Sequence, residues 1–221
     1  MLENFSPMML ELFGQSLWET ALMVFVSGAL ATLVGVPLGV FLRLTDHGGV
    51  LQNRGVNAVV GGIVNAIRST PFIILLVAII PFTRLLTGTS IGTAAAIVPL
   101  TIAAAPFIAR LVETSLREVD GGLIEAAQAM GATTGQIVWK VLLPEALPGI
   151  VAGVTIALVA LTGYSAMAGA IGGGGLGDLG IRYGYQRFLP DVMLAVVAVL
   201  IVFVQLIQSL GDWIVRRLSH R

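Results

Sequence analysis

Five long apolar runs, almost free of ionisable side chains, constrain the fold of this chain more than any other feature. We place them at residues 20–42, 59–82, 91–109, 146–168 and 192–215. Each is close to the roughly 20 apolar residues that an α-helix needs to cross the hydrocarbon core of a bilayer. Only 11% of the residues are charged, whereas soluble domains carry about 25%. The sequence therefore predicts an all-α polytopic membrane protein with five transmembrane helices.

The basic residues are distributed unevenly between the two sides of these spans. An excess of Lys and Arg marks the cytoplasmic side of a membrane protein, so the N-terminus is predicted outside and the C-terminus inside. Residues 1–19 form a periplasmic or interfacial segment, 20–215 a single transmembrane domain with a cytoplasmic loop at 119–145, and 216–221 a cytoplasmic tail. The side with the excess carries Arg43, Arg54, Arg68, Arg110, Arg117, Lys140, Arg216, Arg217 and Arg221, and the other carries Arg84, Arg182 and Arg187.

Several functional classes are disfavoured by what the sequence lacks. The formal net charge is +0, so no basic field indicates nucleic-acid binding. Without cysteine there is no disulfide, thiol nucleophile or cysteine metal site. No G-x-x-x-x-G-K-[S/T] sequence is present, so the chain does not hold ATP itself. We predict no catalytic residue, metal or cofactor in this chain.

The source of energy can also be argued from the spans. Carriers driven by an ion gradient usually keep Asp, Glu or His inside their spans, and the predicted spans contain essentially none. Energy is therefore expected from another subunit. No internal repeat is visible, and five spans are few to enclose a pathway, so a symmetric homodimer is the economical arrangement.

The loop at 119–145 is too polar to span a membrane, and it predicts two short helices. Asp120 is placed as the N-cap of the first helix, and Gly131 ends it in a left-handed conformation. Thr133 and Gln136 match a capping box that opens the second, which is predicted to stop before Pro144. The apolar faces fit either a protein partner or the membrane surface, although Lys140 is the only basic residue between positions 125 and 144.

This loop resembles the EAA loop of permeases that belong to ABC importers. The one departure is Val141, at a position where isoleucine is usual in the family. The resemblance implies a type I ABC-importer permease fold and helices that couple the permease to cytoplasmic ATPase subunits. The motif residues carried over to this chain are Glu125, Ala126, Ala127, Gly131, Leu143 and Pro144.

Other segments are similar to those of methionine-import permeases, and the similarity runs from about Trp18 onward. It implies a bacterial cytoplasmic-membrane importer of methionine that works as a homodimer with two ATPase subunits, which bind ATP and magnesium. It also implies a periplasmic or lipid-anchored methionine-binding protein. The segments concerned are residues 68–76, 104–110, 163–169, 173–178 and 183–185.

Polar residues give the fourth span an amphipathic character, and we predict that this helix lines a pathway. Packing against neighbouring helices is the alternative role. The candidates for the pathway or its gate are Thr155, Thr162, Tyr164, Ser165 and Met167.

Four further patterns carry local predictions. The Gly35/Gly39 and Gly149/Gly153 pairs predict close helix packing. Gly172–Gly177 matches G-x-G-x-x-G, but without a preceding strand we interpret it as a flexible or tightly packed external turn. Arg68 is expected to reach the cytoplasmic interface from the inner part of the second span. Glu113 and Arg117 are expected to form a solvated i,i+4 pair.

Three alternatives to the methionine importer stay open at this point. The chain fits a permease for another small amino acid or related solute. It also fits, less well, a membrane scaffold that anchors a soluble partner, or a carrier driven by an ion gradient.

Overall fold

The computed structural model describes residues 7–219, so residues 1–6 and 220–221, including Arg221 of the predicted tail, lie outside the description. Within that range most residues lie in helices, as the sequence predicts, and there is no strand. π-Helical turns at Val138–Leu142, Gly169–Gly173 and Gly180–Gln186 extend or join the helices. The α-helices are α1 (Pro7–Thr45), α2 (Arg54–Ser69), α3 (Phe72–Ala78), α4 (Ile80–Thr87), α5 (Thr93–Arg117), α6 (Gly121–Ala129), α7 (Thr134–Ile137), α8 (Leu143–Ala168), α9 (Gly175–Leu179) and α10 (Pro190–Ser219).

The second predicted span differs from the other four. Among the described residues, α1, α5, the continuous segment Thr134–Gly173 and α10 are each long and apolar enough to cross a membrane. The run at 59–82 is instead broken, because α2 and α3 meet at an angle of 103°. Pro71 has no amide hydrogen and disfavours a helical residue before it, and Thr70 is extended, with φ −80° and ψ 126°. Five spans are therefore present only if this bent pair counts as one.

Helix α5 is the centre of the bundle, and glycines bring its neighbours close. A Cβ atom added at Gly39 of α1 would lie 2.6 Å from the Ala109 carbonyl oxygen. One added at Gly149 of α8 would lie 2.8 Å from Ser115 Oγ. Only glycine allows such backbone approach between helices, so the close packing predicted for these glycine pairs is confirmed.

The loops fall at two opposite ends of the bundle. At one end Arg117 of α5 pairs with Asp46, which follows α1, and a cavity there lies between residues 144–148 and residues 218–219. At the other end the Gly92 amide donates to the Gly172 carbonyl at 2.8 Å. The start of α8 and the end of α10 therefore lie at the same end, as the predicted topology requires.

The glycine-rich turn after α8 is tightly packed against α1. The Gly175 amide donates to Glu19 Oε2 at 2.7 Å, and the Leu176 amide donates to Thr20 Oγ1 at 2.9 Å. A Cβ atom at Gly177 would lie 2.4 Å from the Ala166 carbonyl oxygen. Close packing thus accounts for the glycines of the G-x-G-x-x-G match.

We expect Glu19→Ala to lower the free energy of unfolding by about 1–2 kcal/mol, because two side chains of α1 cap the otherwise unpaired amides at the start of α9 and one of them is a carboxylate. Glu11→Ala, at an exposed position of the same helix, is the matched control. Thermal unfolding of the detergent-purified protein measures both. Equal midpoints for the two variants would contradict the capping role.

Candidate functional site

Helix α6 is closed at both ends by local hydrogen bonds, as the sequence predicts. Asp120 accepts a hydrogen bond from the Gly122 amide at 2.8 Å. At the other end, Gly131 has φ +78°. The Gly131 amide donates to Gln128 at 2.9 Å, and the Ala132 amide donates to Ala127 at 3.0 Å. This is a Schellman motif, which fixes the direction in which the chain leaves the helix.

The helix that follows begins as predicted but does not end as predicted. Thr133 and Gln136 form both hydrogen bonds of a capping box. The helix then continues through the π-helical turn into α8, so the predicted stop before Pro144 is wrong. Within this turn the Leu143 amide reaches back to the Val138 carbonyl, and Pro144 falls in the first turn of α8, where its missing amide hydrogen costs little. Leu143 and Pro144 therefore lie in a continuous helical segment that joins the short helix to the fourth span.

The segment 119–145 has one buried face and one exposed face. Ala127 is buried, and so are Ile137, Val138 and Leu142 in the second helix. Glu125 and Ala126 are exposed. The buried residues belong to the main hydrophobic core, so the segment packs on the ends of the spans.

The exposed face carries large apolar side chains. Met130 is 82% exposed and Trp139 is 74% exposed. Trp139 could not be singled out from the sequence, because helical spacing alone does not tell which of several apolar residues faces outward. We define these two side chains, together with Glu125 and Ala126, as the outer face of the segment.

An ionic cluster lies beside this segment, at the end of α5. Glu113 is only 1% exposed and accepts hydrogen bonds from Arg110 and Arg117, both at 2.6 Å. Arg110 also donates to the Gly61 carbonyl of α2 at 2.9 Å, and Arg117 pairs with Asp46 at 2.8 Å. The predicted Glu113–Arg117 pair is therefore present, but it is not solvated as expected, because the Glu113 carboxylate is buried within the bundle. The cluster ties α1, α2 and α5 together.

Asp46 is the outermost acid of this cluster. Burial on its own raises the pKa of Asp46, but hydrogen bonds from the His47 amide and from Arg117, together with the charges of Arg117 and Arg43, outweigh it. The pKa of Asp46 therefore lies below its ordinary value, and the carboxyl is ionised at neutral pH. No group of three or more His, Cys, Asp or Glu residues within 7–219 is arranged to hold a metal ion.

The pathway candidates on α8 do not share one surface. Thr162 and Ser165 are buried, and their hydroxyls donate to carbonyls of their own helix at 3.1 and 2.8 Å. Thr155 packs against Gly211 of α10, where an added Cβ would lie 2.2 Å from its hydroxyl oxygen. Thr162 and Ser165 are thus enclosed within the bundle and Thr155 contacts α10, which fits the packing alternative, while their role in a pathway stays a prediction.

Tyr164 and Met167 lie on other parts of α8. Tyr164 is nine residues from Thr155, which corresponds to about half a helical turn in direction. Its ring stacks on Phe72, with centroids 4.8 Å apart and planes 10° apart. Met167 is 48% exposed. The structure thus brings Tyr164 to the break between α2 and α3, which the sequence did not indicate.

Comparison with known proteins identifies a family. Residues 35–221 match the family model described as binding-protein-dependent transport system inner membrane component. A probable D-methionine transport system permease protein MetI of Vibrio cholerae serotype O1 is 58% identical over 204 residues, which cover 92% of this chain and 91% of that protein. The probable MetI of Pasteurella multocida is 49% identical over 216 residues, or 98% of this chain and 100% of the relative.

Solved structures agree with these relatives. A chain from inward-facing conformations of the MetNI methionine ABC transporter has 55% sequence identity and a TM-score of 0.95, and the match covers 97% of this chain and 99% of that one. An amino acid ABC transporter chain with histidines has 23% identity and a TM-score of 0.74 over 94% of each chain. The second of these likenesses supports the fold alone.

Proposed function

Since the chain belongs to the family of binding-protein-dependent transport system inner membrane components, a family of multi-pass inner-membrane proteins, we propose that it is the permease subunit of an ATP-driven methionine importer. The observation that carries this proposal is the likeness, over nearly the whole chain, to a subunit of a methionine ABC transporter. Hydrolysis belongs to the partner ATPase, which binds ATP and magnesium, and this chain supplies the passage.

The segment 119–145 is the proposed docking element for the ATPase. Its outer face contains the exposed residues Glu125 and Ala126 together with the large exposed side chains of Met130 and Trp139. Large exposed apolar side chains of this kind mark protein–protein contacts. A surface helix bound to lipid instead carries many Lys and Arg residues, and Lys140 is the only one between positions 125 and 144. Docking of a protein is therefore the better reading of this face.

The structure offers a route by which movement of the docking element reaches the spans. The Schellman turn at Gly131 and the capping box at Thr133 fix the angle between α6 and the next helix. That helix is continuous with α8 through Leu143 and Pro144. A displacement of α6 by closing ATPase subunits would therefore move α8 as one body, together with Tyr164. Such rigid-body coupling is a common form of conformational switching.

The proposed assembly contains two copies of this chain and its partner proteins. Two copies of the chain would enclose the pathway, two ATPase subunits would bind the cytoplasmic end, and a periplasmic or lipid-anchored methionine-binding protein would deliver the substrate at the other. Residues 1–19 would lie outside and 216–221 inside. Tyr164 and Met167, on the part of α8 away from α10, are the preferred gate residues, whereas Thr155, Thr162 and Ser165 would position the helix.

Reconstitution tests the proposal. The chain would be purified with its ATPase, placed in proteoliposomes with the substrate-loaded binding protein outside, and assayed for uptake of radiolabelled methionine. We expect accumulation only with ATP inside the vesicles and stimulation of the ATPase by the loaded binding protein. Uptake driven by an ion gradient without ATP would point to a carrier, and an ATPase insensitive to substrate would point to a scaffold.

A further inference from the structure

A small cavity lies where the second span is broken. It has a volume of about 180 Å³ and is formed by the end of α2, the start of α3, the middle of α5 and the outer part of α8. We call it the Arg68 cavity. Its walls include Arg68, Thr70, Phe72, Ala103, Phe107 and Tyr164.

Arg68 lies near mid-height of the bundle and not at its cytoplasmic end. Arg54 and Arg68 are fourteen residues apart on α2, which places them roughly 21 Å apart along the helix. Ala103, on the facing wall of the cavity, is also fourteen residues from Arg117, so it lies at a similar distance from the end of α5. The expectation that Arg68 reaches the cytoplasmic interface is therefore not supported by its position. A charge at such depth in a membrane protein generally serves function.

Arg68 also has no carboxylate partner within residues 7–219. Arg110, Arg117 and Arg182 each form a salt bridge there, whereas no salt bridge or hydrogen bond of the Arg68 side chain is found in this range. A guanidinium group presents a planar set of donors that matches a carboxylate. The cavity thus holds a cation whose natural partner, an anion, is not supplied by the described part of the chain.

The remaining walls suit an apolar side chain. The stacked rings of Tyr164 and Phe72 lie beside Phe107, and Ala103 leaves space opposite them. Aromatic faces and edges attract thioether sulfur in addition to ordinary apolar groups. Drug-sized ligands occupy pockets of about 300–1,000 Å³, so this smaller cavity fits a single amino acid better than a peptide or a nucleotide. Broken helices near the midplane also form substrate sites in other transporters.

We propose that the Arg68 cavity is a transient substrate site for a free amino acid with an unbranched apolar or thioether side chain. The substrate carboxylate pairs with Arg68, and its side chain lies against Tyr164 and Phe72. This inference rests on the proposed function, because the importer role supplies an amino acid as the ligand.

Cysteine protection gives a local test, since the chain has no cysteine of its own. Ala103→Cys places a thiol in the cavity wall, and Thr70→Cys places a second reporter on another wall in case the first variant is inactive. The complex with its ATPase, in nanodiscs without nucleotide or binding protein, is treated with N-ethylmaleimide, and labelling of this chain is followed by mass spectrometry. Ala170→Cys, at an exposed position outside the cavity, is the control.

Methionine is expected to slow labelling at position 103, whereas methioninol, which lacks the carboxylate, leaves it unchanged. Adding Arg68→Gln raises the methionine concentration for half-protection by about tenfold or more, as loss of a charged hydrogen-bond partner requires. Arg68→Lys, which keeps the charge, retains part of the protection.

Equal protection by methionine and methioninol, undiminished protection in Arg68→Gln, or protection of Ala170→Cys would each overturn the site. The uptake assay separates this result from the proposed function. ATP-driven methionine uptake without carboxylate-dependent protection removes the site and keeps the importer. Carboxylate-dependent protection without uptake keeps the site and removes the importer.

Discussion

Gly131→Pro is expected to abolish ATP-driven methionine uptake while the protein still inserts into the membrane and binds its second copy. Gly131 has φ +78°, and proline is held near φ −65°. Proline also lacks the amide hydrogen that Gly131 donates to the Gln128 carbonyl. The turn between α6 and α7 must then change, so α6 would present its outer face to the ATPase at a different angle. The ATPase would keep hydrolysing ATP without driving transport.

A graded series separates the angle of α6 from the mere presence of a side chain. Gly131→Ala retains the hydrogen bond but carries a left-handed conformation that costs roughly 1–2 kcal/mol. Gly135→Ala is the matched control, because its conformation is helical and no atom lies within 4 Å of the added Cβ. We expect uptake near the wild-type level for Gly135→Ala, lower uptake for Gly131→Ala and the lowest for Gly131→Pro. Wild-type uptake by Gly131→Pro would contradict docking through this turn.

Local signals in the sequence predicted the helix caps of the segment 119–145 correctly, because caps depend on residues a few positions apart. Asp120, Gly131 and the Thr133–Gln136 box each act within one turn of a helix. Proline was less informative. Pro71 breaks the second span, whereas Pro144 lies in the first turn of α8 without interrupting the helix. The difference lies in the backbone before each proline, which is extended at Thr70 but helical at Leu143, with φ −67° and ψ −45°, and the sequence does not reveal that.

Contacts between distant parts of the chain could not be predicted in the same way. Helical spacing identified the Glu113–Arg117 pair, but not the burial of Glu113. Its surroundings depend on Asp46 and Gly61, which lie tens of residues away in the sequence. The same holds for the stack of Tyr164 on Phe72, since no periodicity within either helix relates these positions.

The ionic cluster holds the end of α5 that leads into the segment 119–145. Helix α6 begins at Gly121, a few residues after α5 ends at Arg117. Arg110 and Arg117 attach that end of α5 to α2 and to the end of α1. The end of α5 next to α6 is therefore held by contacts with two other helices. If the segment 119–145 binds the ATPase as proposed, loss of the cluster would weaken both stability and the coupling of α6 to α8.

Glu113→Ala is accordingly expected to lower the free energy of unfolding by about 3–5 kcal/mol, the range found when one partner of a buried ion pair is removed. The variant leaves the largely buried Arg110 without a carboxylate partner, whereas Arg117 keeps its pair with Asp46. Asp178→Ala, which removes the more exposed i,i+4 pair of Asp178 with Arg182, is the matched control, with an expected cost of about 0–1 kcal/mol. Unfolding of the purified variants in detergent measures both, and similar losses for the two would show that burial adds nothing to the Glu113 cluster. If the cluster also contributes to coupling, Glu113→Ala complexes that remain folded should transport less methionine per ATP hydrolysed than the Asp178→Ala complexes do.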